Sequence, residues 1–146
     1  MNRILIAVDG SAGARAALAA GIELARDADA DVTIATVRHE PIPVLGDPYY
    51  QRALTHELAR AREVLDEALE VAEEARIHAE GEILEGDPGE EIVRLARHRD
   101  VDLVVVGSRG LGSVAGAVFG SVSRFVVRHA DRPVLVVKEP AVVPAL

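Results

Sequence analysis

The run Val101-Asp102-Leu103-Val104-Val105-Val106 is almost unbroken in apolar, largely β-branched residues and stops at Gly107. A strand apolar on both faces needs cover on both, which places it centrally in a parallel sheet between two helical layers. Four other segments have strand length: Arg3 to Asp9, Asp31 to Val37, Ile77 to Leu84 and Pro133 to Lys138. The third carries charges and a glycine, as suits a sheet edge. Helical segments alternate with them. Ser11 is placed to cap the alanine-rich stretch Ala12 to Ala28. Leu54, Leu58, Ala61, Leu65, Ala68, Ala72 and Ala75 recur in steps of four and three, predicting a helix over Gln51 to Ala75 with one buried stripe. Asp87-Pro88-Gly89-Glu90 reads as a capping box opening Glu90 to Arg99, and a last helix runs from Ser121 to about Ala130.

Five strands alternating with four helices predict an α/β fold, a doubly wound five-stranded parallel sheet with helices on both faces. With right-handed crossovers, the order 3-2-1-4-5 sets the two most apolar strands side by side in the middle. Strands one and four then flank the switch point, where ligands bind beyond the strand ends. The first ends at Asp9-Gly10-Ser11 and the fourth at Gly107-Ser108-Arg109-Gly110, so both lead into one crevice.

The spacing there is chemically specific. Gly107-Ser108-Arg109-Gly110 is followed nine residues later by Gly120-Ser121, which open the last helix with Val122 and Ser123. A glycine-rich turn exposes a row of backbone N–H groups, and a helix N-terminus adds unpaired donors and partial positive charge. Together they suit the oxygens of a nucleotide's phosphates. Each residue also has a plainer reading. Asp9 faces the ligand, or it caps a helix or closes a turn. Ser121 caps its helix and touches phosphate with the same geometry, and Ser11 is a cap. Arg109 is a phosphate clamp or a solvated loop residue. Gly112, Gly116 and Gly120 also have the spacing of small-residue helix packing, which leaves Gly107 and Gly110 unexplained. Tyr49 and Tyr50, in the proline-rich loop Arg38 to Tyr50, cover a base or fill the underside of the loop.

The 146 residues are expected to form one domain, residues 1–146. Net charge is −8, which argues against nucleic acid, whose binders need a basic face. It also repels a polyphosphate at long range, so local donors and a divalent cation, magnesium or manganese, have to outweigh it. Lys138 is the single lysine beside 15 arginines, a compositional bias of the source. The strand-like start and the lack of a long apolar stretch predict neither a signal peptide nor a membrane span. The absence of cysteine fits a cytoplasmic protein. Five scattered histidines show no metal-ligand spacing, so any metal arrives with the phosphates, with Asp9 as its one candidate protein ligand. No G-x4-G-K-[ST] sequence occurs and no residue is an obvious base for water, so hydrolysis is expected to be slow or absent.

With Asp9 after the first strand, the G-x-x-G-x9-G-S series, Gly86-Asp87-Pro88 and the ending PVLVVK, the chain resembles the universal stress proteins, and among them the ATP-binding branch. The resemblance implies a Rossmann-like, homodimeric, ATP-binding stress-response protein. Position by position it implies that Ala7, Val8 and Asp9 line the base and ribose end, and that Val37 packs on adenine. Gly107, Gly110, Gly120, Ser121, Val122 and Ser123 would hold ribose and phosphates, with Ser108 and Arg109 in the same turn. It further implies dimerisation through the last strand, Val134 to Val137. Leu111 and Gly112 are less polar than in many relatives. Two other readings stand beside an ATP-binding switch. One is an interaction dimer with a vestigial pocket. The other is a slow nucleotide-hydrolysing enzyme, although an S-G-G-x-D-S loop and an H-x-G-H element are both lacking.

Overall fold

A computed structural model describes residues 1–43, 46–111 and 119–139. Five strands, β1 (Arg3–Ala7), β2 (Asp31–Arg38), β3 (Ala79–Glu85), β4 (Leu103–Gly107) and β5 (Val134–Val137), alternate with four helices. These are α1 (Ala12–Ala28), α2 (Tyr49–Glu74), α3 (Pro88–His98) and α4 (Ser121–His129). The sheet is parallel throughout, in the order β3-β2-β1-β4-β5.

Alternation along the central strands splits the core into two layers. Ile4, Ile6, Leu103 and Val105 face α1 and α2, whereas Leu5, Val104 and Val106 face α3 and α4. Ile4, Leu5, Ile6, Val104 and Val105 have no exposed surface, as the two-sided apolar runs require. At the far edge Glu80 and Glu82 of β3 pair with Arg99, charges that discourage another strand from adding there.

Some boundaries differ from the sequence reading. β1 ends at Ala7 rather than Asp9, β3 starts at Ala79 rather than Ile77, and β5 is confined to Val134–Val137. Helix α2 starts at Tyr49, so Tyr49 and Tyr50 belong to its first turn and not to a loop. Tyr49 is exposed, and the Tyr50 hydroxyl donates to Glu40, whose carboxylate also receives Arg38. That hydrogen bond pushes the Tyr50 phenol up from its ordinary range. The apolar stripe of α2 is buried only from Ala61 to Ala72, and Leu58 is exposed. Gly112, Gly116 and the tail Pro140 to Leu146 lie outside the described residues.

Three helices end in the same way. The N–H groups of Asp29 and Ala30, of Arg76 and Ile77, and of Asp100 and Val101 reach back to the last carbonyls of α1, α2 and α3 in Schellman pairs. The turning residue is Asp29, Arg76 or Asp100, each at positive φ (53°, 58° and 49°), where glycine is the usual occupant. Arg76 is exposed and its side chain makes no hydrogen bond or ion pair among the described residues to offset its left-handed backbone. Arg76→Gly is therefore expected to stabilise the fold by about 0.5–1 kcal/mol, the left-handed penalty less glycine's extra chain entropy. A rise in urea midpoint at constant m-value checks this.

Candidate functional site

The ends of β1, β2 and β4 open into a crevice of about 710 Å³. All twelve residues singled out from the sequence line it: Ala7, Val8, Asp9, Val37, Gly107, Ser108, Arg109, Gly110, Gly120, Ser121, Val122 and Ser123. The walls differ in character. Ala35, Val37, Ile92 and Val106 make the β2 side apolar, while Gly120 to Arg124 and Arg109 bring backbone and charge at the α4 side.

Asp9 acts as a clasp. Its Oδ1 accepts the N–H of Ser11 at 2.9 Å, closing a turn after β1, and its Oδ2 accepts the N–H of Leu111 at 2.9 Å from the loop after β4. One carboxylate thereby ties together the two loops that flank the switch point. Ser11 caps α1 by accepting from Ala14 N–H at 3.1 Å. Asp87 caps α3 by accepting from Glu90 N–H at 3.1 Å, with Pro88 in the first turn.

The glycines have a reason that spacing alone does not give. A Cβ on Gly107 would stand 2.7 Å from the backbone of Gly13, and one on Gly13 would stand 2.2 Å from the carbonyl oxygen of Arg109. A Cβ on Gly110 would meet Asp9 Oδ2 at 2.3 Å. These positions let the first turn of α1 and the Asp9 carboxylate press against the end of β4. The missing side chains serve this packing, and the turn's donors are placed by it.

At the other end of the motif, Gly120 and not Ser121 is the N-cap of α4, and it provides no side-chain hydrogen bond. Ser121 is the first helical residue, which corrects its reading as a cap. The first N–H groups of α4 are consequently left for a ligand or water. The Gly120 N–H donates to the Ser108 carbonyl at 2.6 Å. The Ser123 hydroxyl is buried and donates to the carbonyls of Ser108 (2.9 Å) and Gly120 (3.0 Å). It locks the β4 loop to α4.

Sequence reasoning missed Arg60, Arg124, His39 and Thr36, all of which line the crevice. Arg60 reaches in from α2, its Nη2 donating to the Asp9 carbonyl at 3.3 Å. Arg60, Arg109 and Arg124 have no carboxylate partner among the described residues; neither do Arg3, Arg26, Arg52, Arg76 and Arg128 outside the crevice, whereas Arg15, Arg38, Arg62, Arg94, Arg97, Arg99 and Arg132 are paired with acids. In a chain of net charge −8, these three arginines line the same crevice as Asp9 and Asp87 and leave its lining with a positive balance, which suits an anion. Among the described residues no cluster of three or more His, Cys, Asp or Glu side chains is placed to hold a metal ion, and no helix is long and apolar enough to cross a membrane.

Comparison with known proteins agrees with this architecture. The model of the universal stress protein family matches residues 1–138. A universal stress protein of Thermus aquaticus is 38% identical over 136 residues, 92% of this chain and 97% of that protein. The universal stress protein UspA from Lactobacillus plantarum has the same fold, with a TM-score of 0.84 at 29% identity, covering 93% of this chain and 97% of that one. A universal stress protein family member from Arabidopsis thaliana, solved with AMP bound, gives a TM-score of 0.75 at 25% identity, covering 97% and 94%. Sheet order, crevice and family match together assign this chain to the universal stress protein family.

Proposed function

We propose that the crevice binds an adenine nucleotide, ATP with magnesium or manganese in particular. The bound state then acts as a regulatory signal read from a homodimer, with little or no hydrolysis. The observation that carries the reading is the polarity of the site along its length. Its α4 end offers uncapped helix donors together with Arg109 and Arg124, which suits phosphates. Its β2 end offers apolar Ala35 and Val37, which suits a base. AMP in the Arabidopsis relative supports adenine.

In this reading the backbone of Gly107 to Gly110 and of Gly120 to Ser123 holds ribose and phosphates, and Ala7, Val8, Asp9 and Val37 surround the nucleoside. A divalent ion would be carried by phosphate oxygens, with Asp9, whose two oxygens each accept one backbone N–H, as its one candidate protein ligand. Homodimerisation would use β5, the edge strand next to β4, whose Val134 to Val137 are all half-buried.

Thermal unfolding with and without ligand tests the proposal. A nucleotide at a hundred times its Kd is expected to stabilise the fold by about 2.7 kcal/mol, a rise of roughly 6–10 °C for a chain of this size. ATP with magnesium should give the largest shift, EDTA should reduce it, and AMP and cyclic AMP should give smaller ones. The absence of a shift with every adenine nucleotide would refute the reading.

A further inference from the structure

Among the described residues, Arg60 is the one arginine of the crevice that does not come from its α4 end. Arg109 lies in the turn after β4 and Arg124 in α4, whereas Arg60 reaches in from α2. Val64, one turn further along α2, covers Gly10, where an added Cβ would stand 3.2 Å from Val64 Cγ2. The same face of α2 thus leans on the loop after β1. The Asp9 carbonyl lies past the end of β1 and accepts no backbone N–H among the described residues, and Arg60 Nη2 donates to it at 3.3 Å. The Asp9 carboxylate is itself held by Ser11 and Leu111, so the guanidinium is anchored to a fixed point.

A guanidinium donates in its own plane, so the Asp9 carbonyl occupies one edge of the group and not a face. Arg60 has no carboxylate partner and no further hydrogen bond among the described residues. The fold also sets the side from which it comes. α2 belongs to the layer of Ile4, Ile6, Val32 and Ile34, while Ala35 and Val37 face the opposite layer. Arg60 is not confined behind the sheet, because its anchor lies two residues past the end of β1. A flat ring seated beyond β1 and β2 therefore has an aliphatic floor on one face and the Arg60 guanidinium on the other. The two phenylalanines of the lining belong elsewhere: Phe125 packs on Gly89 of α3, in the layer of Val37, and Phe119 stands just before α4.

We infer that Arg60 is a base-binding residue whose guanidinium stacks on the face of the nucleotide's base turned away from Val37. The inference rests on the nucleotide reading above. A planar cation over a π-face is attracted by the ring's quadrupole, and every base offers such a face, so Arg60 contributes affinity for an aromatic base rather than choice among bases.

Two measurements on the whole chain test this. In the isotope-labelled wild-type chain, the Arg60 Nε–H resonance, assigned through its own backbone, is followed by NMR as AMP is added. A group held over an aromatic face is shielded, so saturation with AMP is expected to move this resonance upfield. Arg60→Lys keeps the charge and loses the plane. Calorimetry of this variant is expected to show AMP and ATP binding weakened by the same factor, roughly three- to tenfold. A downfield shift, with a loss in Arg60→Lys that is larger for ATP than for AMP, would mean that Arg60 pairs with phosphate. An unmoved resonance would mean that Arg60 only holds Asp9 in place. Either overturns the inference and leaves the nucleotide reading intact, and the shift is read on the wild-type chain, so it does not depend on the variant folding. A wild-type chain that binds neither AMP nor ATP would overturn both.

Discussion

Replacing Gly13 by alanine is expected to lower stability by about 1–3 kcal/mol, the usual range for overpacking a filled site, and to weaken nucleotide binding with it. The added Cβ would stand 2.2 Å from the carbonyl oxygen of Arg109, which is backbone and cannot rotate away. Relief requires the first turn of α1 to retreat from β4, or the turn after β4 to swing outward. The first movement breaks the contact with Gly107, whose own Cβ position faces the Gly13 backbone. The second carries Leu111 N–H away from Asp9 and drags the donors of the turn with it.

A control separates this effect from the helix propensity of alanine, which favours the substitution by up to about 1 kcal/mol. Gly21 lies on the same helix and also faces a close neighbour, Ile6 Cδ1 at 2.5 Å from an added Cβ. That neighbour is a side chain, with Ile6 Cγ1 also at 2.8 Å, and not backbone, so Gly21→Ala is expected to cost less stability than Gly13→Ala and to leave nucleotide affinity unchanged. Urea midpoints at equal m-value, with calorimetry for the ligand, check both variants. Equal behaviour of the two would remove close backbone packing as the reason for glycine at position 13.

The same glycines mark how far the sequence could be read. Strand order was legible because β1 and β4 are apolar on both faces while β3 carries Glu80, Gly81 and Glu82, so centre and edge differ in composition. The crevice was legible because it lies where those central strands end. Helix ends were less so: α1, α2 and α3 turn at Asp29, Arg76 and Asp100, and the usual glycine signal is absent. The periodicity of α2 reports an apolar stripe but not the extent of the sheet beneath it, so the exposure of Leu58 was invisible. Arg60 and Thr36 belong to no local motif. They enter the site only because α2 packs on β2 beside the end of β1, a relation between segments distant in the chain. Spacing also cannot tell what a missing side chain makes room for: a Cβ would meet the first turn of α1 at Gly107 and the Asp9 carboxylate at Gly110.

Ending the chain after Asp131 is expected to abolish the cooperative fold altogether. β5 pairs with β4 from Val134↔Val104 to Val137↔Gly107, and its side chains feed both layers. Leu135 and Val137 pack on the α1 side, and Val134 and Val136 on the side of α3 and α4. Four half-buried aliphatic residues contribute on the order of 1 kcal/mol each, and the Val104 and Val105 side chains they cover would lose part of their own burial. The sum, roughly 5 kcal/mol or more, rivals the whole stability of a typical domain. The Ser108 N–H also loses its acceptor, the Val137 carbonyl at 2.8 Å, so the glycine turn would come free at the same time. The truncated chain should therefore show neither a cooperative urea transition nor nucleotide binding. A cooperative transition with nucleotide bound would mean that the crevice is assembled by β1, β2, β4 and α4 without β5. The strand's role would then be reduced to contact with a second copy, which light scattering of the full and shortened chains would reveal as a change from dimer to monomer.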